Sequence, residues 1–345
     1  MSHEDIMSMV EEMIQTIFEE VAGISLPQTF QRLTYQEAMD KYGSDKPDLR
    51  FGYEFVDITN TVKESSFKVF QQAQIVKGFR IPNGERISNS RLKPKGDICQ
   101  QAQAASAPGL ITLRVSENND LQGAKAVVES LSESQKTGIV DKMSASNGDL
   151  LVFVAGDSEL VNKALDKVRQ YVAHTLDEIP ENTHKLCWIT DWPLMEWNED
   201  DQRFETLHHP FTAPNPVDLE AGIPLSDCRA VAYDLVYNGV EIGGGSLRIY
   251  RSDIQTMLFD IIGLGEEEAR DKFGHLLDSL EIGAPPHGGI AFGLDRLSML
   301  LAKCQSIRDV IAFPKTTQAQ CLLTHAPSSV PKQQLDEIHV KQIDS

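Results

Sequence analysis

No apolar run in this sequence approaches the roughly 20 residues that a membrane-crossing helix needs. Its first residues show neither a basic start nor an apolar stretch of the kind found in secretory or transit signals, so no leader is expected. Paired cysteines are missing too. Cys99, Cys187, Cys228, Cys304 and Cys321 are scattered without a CxxC pair, which speaks against a zinc site and for reduced thiols in a cytosol-like compartment. Basic charge is scarce: 32 Lys and Arg stand against 51 Asp and Glu, a formal net charge of −19. That balance excludes non-specific nucleic-acid binding, and any RNA contact needs a local basic patch working against the overall field. There is no internal repeat. No Ser–His–Asp order and no metal-type His pair is present, since neighbouring His208 and His209 point apart on a strand.

What is there suffices for a large core: 345 residues, 41% hydrophobic, enough for two domains. Ser2 and Asp5 predict the capped start of a helix through Val21, with Ile6, Val10, Met13, Ile14, Ile17, Phe18 and Val21 as its apolar stripe. Gly43–Arg50 is polar and turn-rich and reads as a solvated loop; a functional role needs Lys46 or Arg50 to face a ligand. From about Ser65 to Ile179 strand-like runs (Gln74–Ile81, Gly109–Val115, Asp149–Val154) alternate with helix-like ones, a separate α+β module closed by Glu178-Ile179-Pro180. Within it Arg86, Arg91, Lys93 and Lys95 form a basic run, most simply a solvated face. Beyond Pro180 strands return, two of them joined at Asn238-Gly239, a strong hairpin signal. Helices follow near Asp253–Ile262 and Glu266–Leu280, and Asp309–Phe313 reads as a buried strand.

Gly288–Ala302 has the richest pattern. A Gly-rich apolar strand, expected to be buried, runs into a helix with Leu297, Leu300 and Leu301 on one face. Glycines 288, 289 and 293 leave room for a flat ligand against the backbone. Arg296 lies in the first helical turn, where free N–H groups already favour anions.

That stretch is similar to the third signature motif of class II aminoacyl-tRNA synthetases, and Val240–Arg248 resembles the strand preceding it. With His208-His209-Pro210-Phe211 and Gly43-Ser44-Asp45-Lys46-Pro47-Asp48-Leu49-Arg50, the resemblance is to the bacterial-type aspartyl-tRNA synthetase family and covers essentially the whole chain. It implies an α+β fold, a partial class II catalytic domain with an antiparallel sheet flanked by helices. Residues 1–64 and 181–345 would form the catalytic parts and 65–180 an inserted α+β domain. The implied chemistry joins L-aspartate to ATP and passes the aspartyl group to tRNA(Asp). By resemblance Arg296 and Glu241 are catalytic; Glu241, Gly293, Leu294, Asp295 and Arg296 bind ATP; Asp234 and Glu241 hold Mg2+; His208 and Arg248 bind L-aspartate. Gly78-Phe79-Arg80 echoes a synthetase Arg signature but is followed by Pro82 where an acid is expected, so it is read as a decoy. The anticodon-binding barrel and the first two signature motifs have no counterpart, nor has the Arg-x-Glu strand of the second motif. The chain therefore reads as the C-terminal part of a ligase, inactive by itself. A non-catalytic module that binds nucleotide, RNA or a partner is the alternative. The family homodimer is expected to be weak or absent, and an apolar face on the sheet side of the Glu4–Val21 helix is expected to be left uncovered where the second motif would pack. The compartment implied is a bacterial cytoplasm, or a chloroplast or mitochondrion.

Strand parity adds a geometric expectation. A two-residue turn at Asn238-Gly239 pairs Tyr237 with Val240, Val236 with Glu241 and Asp234 with Gly243, placing Asp234 and Glu241 on one face, Cα atoms about 7–8 Å apart. A regular ladder sends Arg248 to the other face. An extra residue within Gly243–Ser246 returns it, and a β-bulge is expected there.

Overall fold

The computed structural model describes residues 2–343. Helix α1 (His3–Ala22) starts as its sequence predicts: the Ser2 hydroxyl accepts from the Asp5 N–H, and the Asp5 carboxylate accepts from the Ser2 N–H. Strand β1 (Gln31–Thr34) passes directly into α2 (Tyr35–Tyr42), with Thr34 as its cap, and Gly43 ends α2 in the left-handed region at φ 67°. The chain then builds a second sheet from β2 (Val56–Asp57), β3 (Ile75–Ile81), β4 (Ile111–Val115), β5 (Leu121–Gly123) and β6 (Leu150–Gly156). Its strand order is β2-β3-β6-β4-β5, antiparallel throughout. Because β2 belongs to it, this sheet reaches upstream of residue 65. Helix α3 (Ser158–Thr175) packs Val161, Leu165, Val168 and Val172 on one of its faces.

The return strands are β7 (Leu186–Thr190), β8 (Ala232–Tyr237) and β9 (Val240–Leu247). Helices α4 (Ser252–Ile261) and α5 (Glu266–Ile282) follow, then β10 (Gly288–Phe292) and α6 (Leu294–Leu301). These strands complete the first sheet, ordered β1-β7-β8-β9-β10; β1 runs parallel to β7 and the other pairs are antiparallel. Alternation along β7 and β8 sends Trp188, Tyr233, Leu235 and Tyr237 to α1, and Cys187, Ile189, Ala232 and Val236 to the opposite core.

Three expectations need correction. The face of α1 is split rather than bare: Ile6, Met7, Val10, Ile14 and Phe18 are buried on the sheet, while Met13 and Val21 are exposed and Ile17 half-buried. The helix turns this way because buried Glu11 is fastened to the sheet, accepting from the Trp188 indole N–H at 2.9 Å and pairing with Arg32. Strand β10 is an open edge rather than a buried strand. Gly288, Gly289 and Ala291 are exposed, because no described strand pairs on its outer side. Lastly, Ile307–Asp309 forms a short 3-10 turn and Phe313 is 61% exposed, so Asp309–Phe313 is not a strand.

On α6 only Leu297 is buried, while Leu300 and Leu301 are half-covered. Leu297→Ala is therefore expected to cost about 2–5 kcal/mol in urea melts and Leu300→Ala clearly less. Equal losses would mean that α6 is packed on both sides.

Candidate functional site

The turn at Asn238-Gly239 pairs Tyr237 with Val240 and Val236 with Glu241, as parity requires. The next pairs are Leu235 with Gly243 and Asp234 with Gly244, so Ile242 is the extra residue. The bulge precedes the glycine run instead of lying in Gly243–Ser246. Ile242 can occupy it because its side chain is buried in the α1 core and its carbonyl accepts from the Gly293 N–H at 3.1 Å. The parity reversal is the one a bulge provides: Asp234, Glu241, Gly244 and Ser246 fall on one side, while Arg248 lies just past the end of β9 in a bridge to Thr212.

The acids converge there. A Cβ built on Gly244 would lie 2.4 Å from Asp234 Oδ1 and 3.6 Å from Glu241 Oε1, so the two oxygens are no farther apart than the sum of those distances. Burial raises the Asp234 carboxyl most; the charges of Glu241 and Asp45 raise it further, against Lys46, and it is pushed up to about 7. Arg296 Nη1 donates to the Glu241 carbonyl oxygen at 2.5 Å, tying the start of α6 to the strand that carries the acid. Across the ladder Ala291 pairs with Gly244 and Gly289 with Ser246; Gly289 and Ala291 are exposed, Gly244 is half-buried and Ser246 is buried. Gly293, Leu294, Asp295 and Arg296 are all exposed at its edge.

His208 lies half-buried, edge-on to Trp192 at 4.5 Å between centroids, and Trp192 packs on Tyr35 at 4.8 Å. Burial lowers its pKa, and the Arg248 charge lowers it further against Asp45, so the ring is neutral near pH 7. Its Nε2 is buried without a hydrogen-bond partner among the described residues. His208 and His209 lie past the end of the Arg203–Thr206 strand rather than on a strand as expected, and His209 Nδ1 accepts from the Phe211 N–H. The Arg248 N–H donates to the His287 carbonyl, and its side chain forms no ion pair among the described residues.

The loop read as solvated divides its charges. Arg50 is committed to Asp48 through three bonds of 2.6–3.1 Å, which removes it as a ligand group. Asp45 and Lys46 lie close enough to Asp234 to act on its proton. Asp45 stood in the sequence only as one member of the Gly43–Arg50 stretch, with no role of its own, and the Tyr35–Trp192 wall carried no local signal. Elsewhere Arg80 pairs with Asp149 at 3.1 Å, Arg91 with Asp97 at 2.5 Å and Arg86 with Glu178, so much of the second module's basic charge is internally spent.

Among the described residues no group of three or more His, Cys, Asp or Glu side chains is arranged to hold a metal ion. Two convergent carboxylates suit Mg2+, which takes one or two such ligands and fills its octahedron with phosphate oxygens and water. No described helix is long and apolar enough to cross a membrane.

Residues 1–317 match a family model described as tRNA synthetases class II (D, K and N). An aspartate–tRNA(Asp/Asn) ligase of Trichodesmium erythraeum is 52% identical over 348 residues, covering 99% of this chain and 58% of the relative. The ligase of the same name from Thermosynechococcus vestitus is 52% identical over 345 residues, covering 99% of this chain and 56% of the relative. The chain thus spans little more than half the length of these relatives. A solved asparaginyl-tRNA synthetase of Entamoeba histolytica aligns over 92% of this chain and 46% of its own at 14% identity, with a TM-score of 0.40.

Proposed function

Since this chain belongs to the class II tRNA synthetases of the D, K and N group, we propose that it carries the nucleotide- and aspartate-binding half of an aspartate–tRNA ligase. Asp234 and Glu241 over Gly244, with Arg296 bound to the Glu241 carbonyl, are the observation that supports this most. In the proposed reaction an aspartate carboxylate oxygen attacks the ATP α-phosphorus and pyrophosphate leaves; a tRNA hydroxyl then takes the aspartyl group and AMP departs. Arg296, on an exposed helix start, meets the outer phosphates by charge and by its donor fork. Gly244, Gly289 and Ala291 give the flat ring of ATP a floor. Arg248 recognises the side-chain carboxylate of L-aspartate by a bidentate pair, and neutral His208 offers its unpartnered Nε2 to the substrate. Mg2+, when bound, supplies positive charge that neutralises phosphate oxygens. The division into 1–64, 65–180 and 181–345 remains part of this proposal, as do tRNA(Asp) as acceptor and a bacterial or organellar compartment.

A second reading, a module that binds nucleotide without catalysis, is favoured by the open edge of β10. One experiment separates the two. The chain is mixed with Mg2+, ATP and labelled pyrophosphate, with and without L-aspartate. We expect Mg2+–ATP binding and little aspartate-dependent exchange from this chain alone; strong exchange would show that it is catalytically self-sufficient. Arg296→Ala is expected to weaken ATP binding at least about tenfold with an unchanged melt, as for a lost charged hydrogen bond at the surface. A lost cooperative melt would instead make Arg296 a structural residue.

A further inference from the structure

The turn that starts at His208 is held by its carbonyl oxygens, each with its own donor. The His208 oxygen accepts from the Thr206 hydroxyl at 3.3 Å, and that of His209 from the Thr212 N–H at 2.9 Å. The Phe211 oxygen accepts from the N–H of Ile249, just beyond β9, at 2.9 Å. Pro210 has no N–H, so its carbonyl is the one main-chain group by which it can be held. That oxygen accepts from Gln255 Nε2 of α4 at 2.9 Å.

Gln255 is fully buried, and its Oε1 has no partner among the described residues. An orphaned buried acceptor is destabilising, and a methionine of similar volume would fill this place without one. The amide can face only one way, since Oε1 turned to Pro210 would set two acceptors against each other. What this side chain contributes is therefore its grip on Pro210. Phe259, four residues on and so on the same face of α4, receives the next residue of the turn: its ring lies 5.8 Å from that of Phe211, edge-on. Phe273 of α5 meets the Phe211 ring as well, at 5.1 Å. Beyond Phe211, the Thr212 hydroxyl lies 3.3 Å from that of buried Ser246 in β9. The turn is thus clamped between α4 and the strand that carries Glu241, and His208 at its start stands edge-on to Trp192.

We propose that Gln255 is a positioning residue for the substrate histidine: by holding the Pro210 carbonyl from α4, it fixes the turn that aims the His208 ring at the bound aspartyl group. This rests on the reading of His208 as a residue that touches the substrate. The test follows the His208 ring by proton NMR in the whole chain without ligand, its signals assigned by their loss in His208→Gln. The Trp192 indole, 4.5 Å away between centroids, displaces these signals from free-histidine values by its ring current. Gln255→Met is expected to melt in urea close to the wild type yet to lose most of that displacement. Leu258→Ala removes a fully buried side chain from the same helix and lowers stability. It is expected to keep the displacement, because the bond to Pro210 stays. An unchanged His208 signal in Gln255→Met, or an equal loss in Leu258→Ala, overturns the proposal. If Gln255→Met does not fold, Gln255→Asn is read in the same way, since its amide is one methylene short of Pro210. Unfolding of both would make Gln255 a structural residue and overturn the proposal too. A non-hydrolysable aspartyl-adenylate analogue, with a sulfamate in place of the phosphate, is expected to bind about tenfold more weakly to Gln255→Met than to the wild type. Equal affinities would overturn the role in binding. Failure of the wild-type chain to bind the analogue would count against the functional reading alone, since the ring signal needs no ligand.

Discussion

Gly244→Ala is expected to abolish measurable Mg2+–nucleotide binding, a loss of at least about a hundredfold, while the protein still melts cooperatively. The new methyl would arrive 2.4 Å from Asp234 Oδ1, which is the movable end of a side chain. The backbone stays, the carboxylate swings away and the acid pair is broken. Gly245→Ala, one residue on, should behave in the opposite manner. Its Cβ would meet the Gly289 carbonyl oxygen at 2.0 Å and Ile290 Cα at 2.7 Å, which are main-chain atoms of β10. Strand β10 must give way, at an overpacking cost of about 1–3 kcal/mol or more. Titration calorimetry with Mg2+–AMPPNP and urea melts on both variants read the contrast. Should Gly244→Ala bind as the wild type does, the acid pair is not the cation site.

The second large effect concerns a proton. In the folded chain Asp234 holds its proton up to about pH 7, against 3.8 for an ordinary aspartate. The folded state therefore binds a proton that the unfolded chain releases in that window. The stability this gives is fully present below about pH 4 and is lost as pH rises through about 7, where the unpaired charge must be buried. Urea midpoints of the wild type, relative to Asp234→Asn, should fall across that window, leaving the Asn variant the more stable at pH 8. Binding of Mg2+–nucleotide near pH 6 should expel up to one proton. Calorimetry in two buffers of different ionisation heat measures it. Parallel stability profiles together with no proton release would remove Asp234 from the cation site.

Local rules carried much of this structure in the sequence. Ser2 with Asp5, Asn238 with Gly239, and Gly283 after α5 each state their own conformation, because caps and tight turns depend on one or two side chains. Parity alone put Asp234 beside Glu241. What stayed hidden depended on partners distant in the chain. The bulge settled on Ile242 and not on a glycine because an apolar side chain had a core to enter and Gly293 was there to take its carbonyl. Asp45 could not be singled out, since its loop is fastened by contacts distant in the chain, such as the bond from Arg169 to the Asp48 carbonyl, more than a hundred residues apart. Strand β10 looked buried because its residues are apolar or small; whether it is covered depends on a neighbouring strand, which composition does not state. Asp309–Phe313 misled for the same reason.

The uncovered margin of β10 has a colloidal consequence. Gly288–Phe292 carries no charged side chain and ends in exposed backbone, the kind of margin on which a second copy can add a strand. What opposes that encounter is the chain's charge of −19, a long-range repulsion that acts before two molecules touch. Salt shortens its reach from about 30 Å at 0.01 M to about 3 Å at 1 M. Solutions of this chain should therefore keep best in dilute buffer and turn turbid as salt is added, the reverse of ordinary salting-in.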